Sequence, residues 1–153
     1  LGGNTASGAD IPEVAGEVAY HDPDWEQRLA TGDSDAVLGR FRPFASHRVL
    51  RPVFEAYLLV ADALVVRDFR ADVDIKRLVA ETLALGAQYR AQRRIKSPEA
   101  VSTALFESAI RLAGNRGLLA GGDVGRLRER EAFAVEIRGI VERIDRVEDL
   151  ATP

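Results

Sequence analysis

At 153 residues the chain has the length of one domain, enough to bury roughly 70% of the surface its unfolded form exposes. It is 46% apolar and 29% charged with a net charge of −3, an ordinary globular balance without the basic excess of a nucleic-acid-binding domain. The absence of cysteine excludes disulfides, thiolate catalysis and Cys-ligated metals.

The chain lacks Met and begins at Leu1, as an excised or proteolysed piece would. Residues 1–9, rich in Gly, Ser, Asn and Thr, read as a disordered terminus or linker ahead of a helical domain over 10–151. They have neither the basic start nor the apolar core of a signal peptide. Asp10 stands as an N-cap with Pro12 and Glu13 in the first turn. Ile11, Val14 and Val18 follow on one helical face, so a short amphipathic helix is predicted over 11–20, weakened by Gly16. Pro23 ends it or starts a short turn carrying Trp25 and Leu29. Residues 31–35 read as a loop, and 36–44, closed off by Pro43, fit no element clearly.

Residues 49–66, VLRPVFEAYLLVADALVV, form the longest apolar run and carry only Arg51, Glu55 and Asp62 as charges. A helix apolar nearly all round belongs in the middle of a bundle. Three charges, each costing roughly 2.5 to 3.5 kcal/mol near a bilayer centre, make membrane insertion unfavourable. Ser46 can cap this helix, in which case Pro52 would kink its first turns; a start near Leu50 would instead place Pro52 in the first turn.

Asp72 or Asp74 can cap the next helix, predicted over 75–94 from Ile75, Leu78, Val79, Leu83 and Leu85. Ser97-Pro98-Glu99 is a helix-start signal, and Val101, Leu105, Ile110 and Leu112 carry that helix to Gly114-Asn115. Gly121-Gly122 marks a hinge before a last helix that Asp123 opens. Its stripe is Val124, Leu127, Ala134, Ile137, Val141 and Ile144, with Arg126, Arg128, Glu129, Arg130, Glu142 and Arg143 on the other face. No window alternates with period two for the length of a strand. The expected fold is all-α, a single antiparallel bundle of about four long helices plus one or two short N-terminal ones.

Chemistry-bearing groups are sparse. His21 lies in HDPDWE beside Asp22, Asp24 and Glu26, where it would suit a carboxylate-oriented general base. The His-x4-Asp spacing of acyltransferases is not met, because Glu26 occupies the last position and Pro23 breaks the stretch; an exposed turn is the plainer reading. His47, at the head of the central helix, reads as a capping or surface residue. His21 with Asp24 is too little for a metal site, so no metal and no cofactor are expected. Glu55 and Asp62 are seven apart on one helix face, about 10.5 Å along the axis and too far to share a proton. They read as anchors pairing with arginines such as Arg51. Gly114–Gly117 and Gly121-Gly122 follow no strand and precede no P-loop lysine, and read as helix punctuation. The basic segment Arg90, Arg93, Arg94 and Lys96 suits phosphate or a membrane surface; a solvated helix C-terminus complementing the dipole is the plainer alternative.

Four segments then stand in a familiar order: HDPDWEQRL, LRPVFEAYLLVADALVVRD, SPEAVSTALFESAIRLAGNRGLL and EAFAVEIRGIVERIDRVEDLA. Together they resemble the C-terminal region of bacterial membrane-bound glycerol-3-phosphate 1-O-acyltransferases over most of residues 20–151, with LRPxFEAYxxVADxL the most specific part. The resemblance implies a parent enzyme of phospholipid synthesis that moves a fatty acyl group from acyl-CoA or acyl-carrier protein to glycerol 3-phosphate. In that family the HxxxxD motif and the substrate motifs lie in an upstream acyltransferase domain, and none of them occurs here. The implied role is a helical C-terminal domain without catalytic residues, with that upstream domain as its partner. It would support the catalytic domain or its membrane association, with Glu55, Tyr57 and Asp62 as structural anchors. The piece itself would be soluble and its parent peripheral to the cytoplasmic face of the membrane; oligomeric state and acyl-donor preference stay open. Two alternatives compete: a free-standing helical ligand-binding or protein-interaction module with a pocket lined by Phe54, Tyr57 and Phe106, and an autonomous enzyme using His21.

Overall fold

The computed structural model describes residues 10–40 and 46–151; the expected terminus over 1–9 lies outside the described residues. The described chain is all-α: α1 Asp10–His21, α2 Trp25–Ala30, α3 Ser34–Gly39, α4 Ser46–Val65, α5 Ile75–Ala91, a 3-10 turn at Pro98–Ala100, α6 Thr103–Asn115 and α7 Val124–Ala151. The four long helices appear as expected, but three short ones precede them rather than one or two. Gly32, at φ +81°, ends α2. Asp33 then caps α3 by accepting from Ala36 N at 3.3 Å, so the composition of 31–35 concealed a helix start. Residues 41–45, the rest of the undecided stretch, lie outside the described residues.

The chain divides into two compact units. In one, described over 10–40 and 146–151, buried Asp22 lies 3.2 Å from Arg28 Nε and 3.6 Å from Arg40 Nε, and Arg146 pairs with Asp35 at 2.7 Å. The other, Ser46–Asp145, holds the main core around α4.

Helix α4 fully buries Ala56, Leu59, Val60, Ala61 and Leu64. Each aliphatic side chain larger than alanine contributes roughly 1.5 to 3 kcal/mol. The helix begins at Ser46 and runs through Pro52, so Ser46 is its first residue rather than a preceding cap. The missing Pro52 N–H leaves the carbonyl of Arg48 without its helical donor; Arg48 is exposed, where water can serve. Helices α5 and α6 and the 3-10 turn pack on α4.

The buried face of α5 is Leu78, Thr82, Gly86 and Tyr89, whereas Ile75 and Leu83 are exposed. Thr82 enters the core because its hydroxyl donates to Leu78 O at 2.8 Å. Gly86 does so because a Cβ there would meet Val101 Cγ2 at 2.9 Å. Asp74 caps α5 through Arg77 N. Asp72 instead accepts from Gly121 N at 2.8 Å, and Gly122 N donates to Phe69 O at 2.8 Å, tying the α4–α5 connection to the α6–α7 connection. The expected helix start at Ser97 is corrected: Ser97–Glu99 enters a separate 3-10 turn, and α6 starts at Thr103. The Ser97 hydroxyl donates to Glu99 rather than capping, and its N–H is taken by Glu55.

Candidate functional site: two polar centres along the central helix

Arg51, Glu55 and Asp62 recur four and seven residues apart, which places them along one face of α4. At the first centre Glu55, buried, accepts from Lys96 N at 2.9 Å through Oε1 and from Ser97 N at 2.8 Å through Oε2. Arg51 Nη1 approaches the same Oε1 at 3.4 Å and donates to Asp145 Oδ1 at 2.8 Å, which Lys96 Nζ also reaches at 2.8 Å. Burial pushes the Asp145 pKa up, but hydrogen bonds from Lys96 and Arg51 outweigh it and hold the carboxyl below its ordinary value.

At the second centre Asp62 accepts from Tyr89 OH at 2.7 Å and from Arg138 Nη2 at 2.9 Å. The Arg94 guanidinium lies 3.8 Å from the centroid of the Tyr89 ring, with Nη2 4.0 Å from Asp62 Oδ2. Burial, reinforced by the hydrogen bond to Asp62, raises the Tyr89 pKa, so the phenol stays protonated and donating. A cavity of about 280 Å³ opens here, walled by Val65, Val66 and Leu85 on its apolar side. These carboxylates are engaged by donors in fixed geometry, an arrangement that joins helices rather than shuttling protons.

Of the basic segment, Arg94 and Lys96 are drawn into these centres, while Arg90 and Arg93 are exposed. Arg93 adopts φ 56°. Tyr57 packs edge-on to Phe54, ring centroids 5.9 Å apart, and Phe106 is fully buried, so these three aromatics fill space against the core.

His21 is exposed and meets Glu17 Oε1 at 3.2 Å, whereas Asp22 turns inward. His47 is 5% exposed, and its Nδ1 has no hydrogen-bond partner, which corrects the expectation of a surface or capping residue. Arg130 was assigned to the polar face of the last helix and is instead completely buried. Its signal was the spacing 127, 130, 134, 137, 141, 144, a continuous three-four stripe that its charge disguised. Among the described residues no group of three His, Cys, Asp or Glu side chains could hold a metal ion, and no helix is long and apolar enough to cross a membrane.

No solved structure matches the chain. Curated proteins named "Putative acyltransferase plsB1" from Mycobacterium bovis and Mycobacterium tuberculosis are each 38% identical to it over 107 residues. That stretch is 69% of this chain but 17% of either relative's length. The family model described as the glycerol-3-phosphate acyltransferase C-terminal region matches residues 14–121, from α1 through both polar centres of α4 to the Gly121 turn. The chain therefore belongs to the glycerol-3-phosphate acyltransferase C-terminal region family.

Proposed function

We propose that this chain is a non-catalytic helical domain of an acyltransferase that transfers a fatty acyl group from a thioester donor to glycerol 3-phosphate, releasing the thiol and forming the ester. Its partner is the parent's own acyltransferase domain, which the helical domain supports. The observation that carries the reading is the family match over both polar centres, in a chain spanning 17% of the length of its curated relatives. The geometry supports it: the buried carboxylates are committed to joining α4 to its neighbours, and His21 sits on an exposed helix end. Within that role Arg90 and Arg93 are the cations of the basic segment left to meet phosphate or a membrane surface.

The test uses acyl-CoA and radiolabelled glycerol 3-phosphate. The purified 153-residue chain is expected to give no ester above the protein-free rate, and turnover by it would sink the proposal. In the full-length parent, His21→Ala should leave kcat unchanged, whereas deleting this region should abolish activity.

A further inference from the structure

Arg130 is 0% exposed, and its printed hydrogen bonds all go to main-chain oxygens. Nε donates to Leu118 O at 2.9 Å, and Nη1 reaches Leu64 O and Asp68 O, both at 3.5 Å. These carbonyls lie at the C-terminal end of α4 and in the segments following α4 and α6, so helix dipoles offset part of the charge. The remaining nitrogen, Nη2, has no partner.

Two further guanidinium groups sit close by. Burial first, then the charges of Arg126 and Arg67, lower the Arg130 pKa from its ordinary value, with Asp68 acting the other way. Arg67 pairs with Glu81 and Arg126 with Glu129, each through a terminal nitrogen at 2.6 Å. Both keep a buried Nε without an acceptor. Three neighbouring cations thus each carry a donor nitrogen closed to solvent and unpaired. One such donor costs about 1–3 kcal/mol, more on a charged group, and native proteins satisfy the large majority of theirs. Water would accept the hydrogen bonds but leave the charge of Arg130 without a counter-ion.

We propose that Arg67, Arg126 and Arg130 together hold one small anion of halide size. Closure of the three nitrogens to solvent disfavours an organic phosphate, and their donors and charge suit a monatomic anion. The site is independent of the two polar centres on α4, and its test is independent of acyl transfer.

Crystals of the 153-residue chain soaked in sodium bromide should show an anomalous-scattering peak about 3.3 Å from Arg130 Nη2 and from the Nε atoms of Arg67 and Arg126. In solution, chloride or bromide should raise the Tm saturably, by about 5 °C, relative to gluconate at equal ionic strength. Arg126→Gln should abolish the saturable component, and Arg128→Gln, at an exposed position of the same helix, should retain it. A water without anomalous signal at that position would overturn the proposal. So would equal halide dependence in the two variants, or stabilisation by phosphate without any halide effect. The bromide experiment needs no variant, so a failure of Arg126→Gln to fold leaves the proposal decidable.

Discussion

Arg93 occupies a position that helix termini usually give to glycine. Three helices here end with the same pair of bonds. Arg94 N donates to Tyr89 O and Arg93 N to Arg90 O after α5; Gly32 and Gly117 hold the equivalent place after α2 and α6. An L side chain in the left-handed region costs about 1 kcal/mol, so Arg93→Gly should raise unfolding stability by about 0.5–1 kcal/mol once the added freedom of the unfolded chain is counted. Urea denaturation measures this directly, and a loss of stability would show that the Arg93 side chain makes a contact worth more than the strain. Two glycines form an opposite pair. A Cβ on Gly121 would fall 2.4 Å from Arg70 O, whereas one on Gly139 would meet nothing within 4 Å. Gly121→Ala should therefore cost about 2 kcal/mol or more, and Gly139→Ala, inside α7, should add about 0.5–1 kcal/mol. Equal effects in the same denaturation assay would contradict both assignments.

At the scale of the element, Glu55 fixes how the α5–α6 connection meets α4. Its carboxylate takes the main-chain N–H groups of Lys96 and Ser97, so Glu55→Ala leaves those donors and Arg51 without their acceptor and should cost about 3–5 kcal/mol. Amide hydrogen exchange localises the effect: residues 96 and 97 should lose protection first, and uniform loss would mean that Glu55 serves the core in general. The helices themselves were legible because apolar periodicity is local. The short α3 was not, since its cap Asp33 sits in a loop-like composition, and the Ser97 start signal was overridden by an acceptor 42 residues away. The buried face of α5 was misread for the same reason, because Thr82 and Gly86 are core residues only once Leu78 O and Val101 are in place.

Across the whole molecule the carboxylates set the response to acid. The folded pKa of Asp145 is depressed below its unfolded value, so its contribution to stability is complete above about pH 4 and is lost as pH falls through the folded pKa. Glu136, depressed by the hydrogen bond from Arg116, acts in the same direction. Urea midpoints should be flat from about pH 7 to pH 5 and fall below about pH 4, with a shallower fall in Asp145→Asn; an unchanged acid limb in that variant would remove Asp145 from the account. The sequence marked Glu55, Asp62, Arg94 and Lys96 as charges needing partners, but pairings such as Asp62 with Arg138 cross 76 residues and leave no local trace. Arg130 was invisible as a site because charge alone assigned it to solvent. The same distance in sequence governs synthesis. Residues 46–145 form a contiguous unit that can close while the chain is still emerging from the ribosome, but the other unit draws on both ends of the chain and joins Asp35 to Arg146, 111 residues apart. Its N-terminal helices must wait through almost the whole of translation for that partner, which makes them the natural clients of a chaperone.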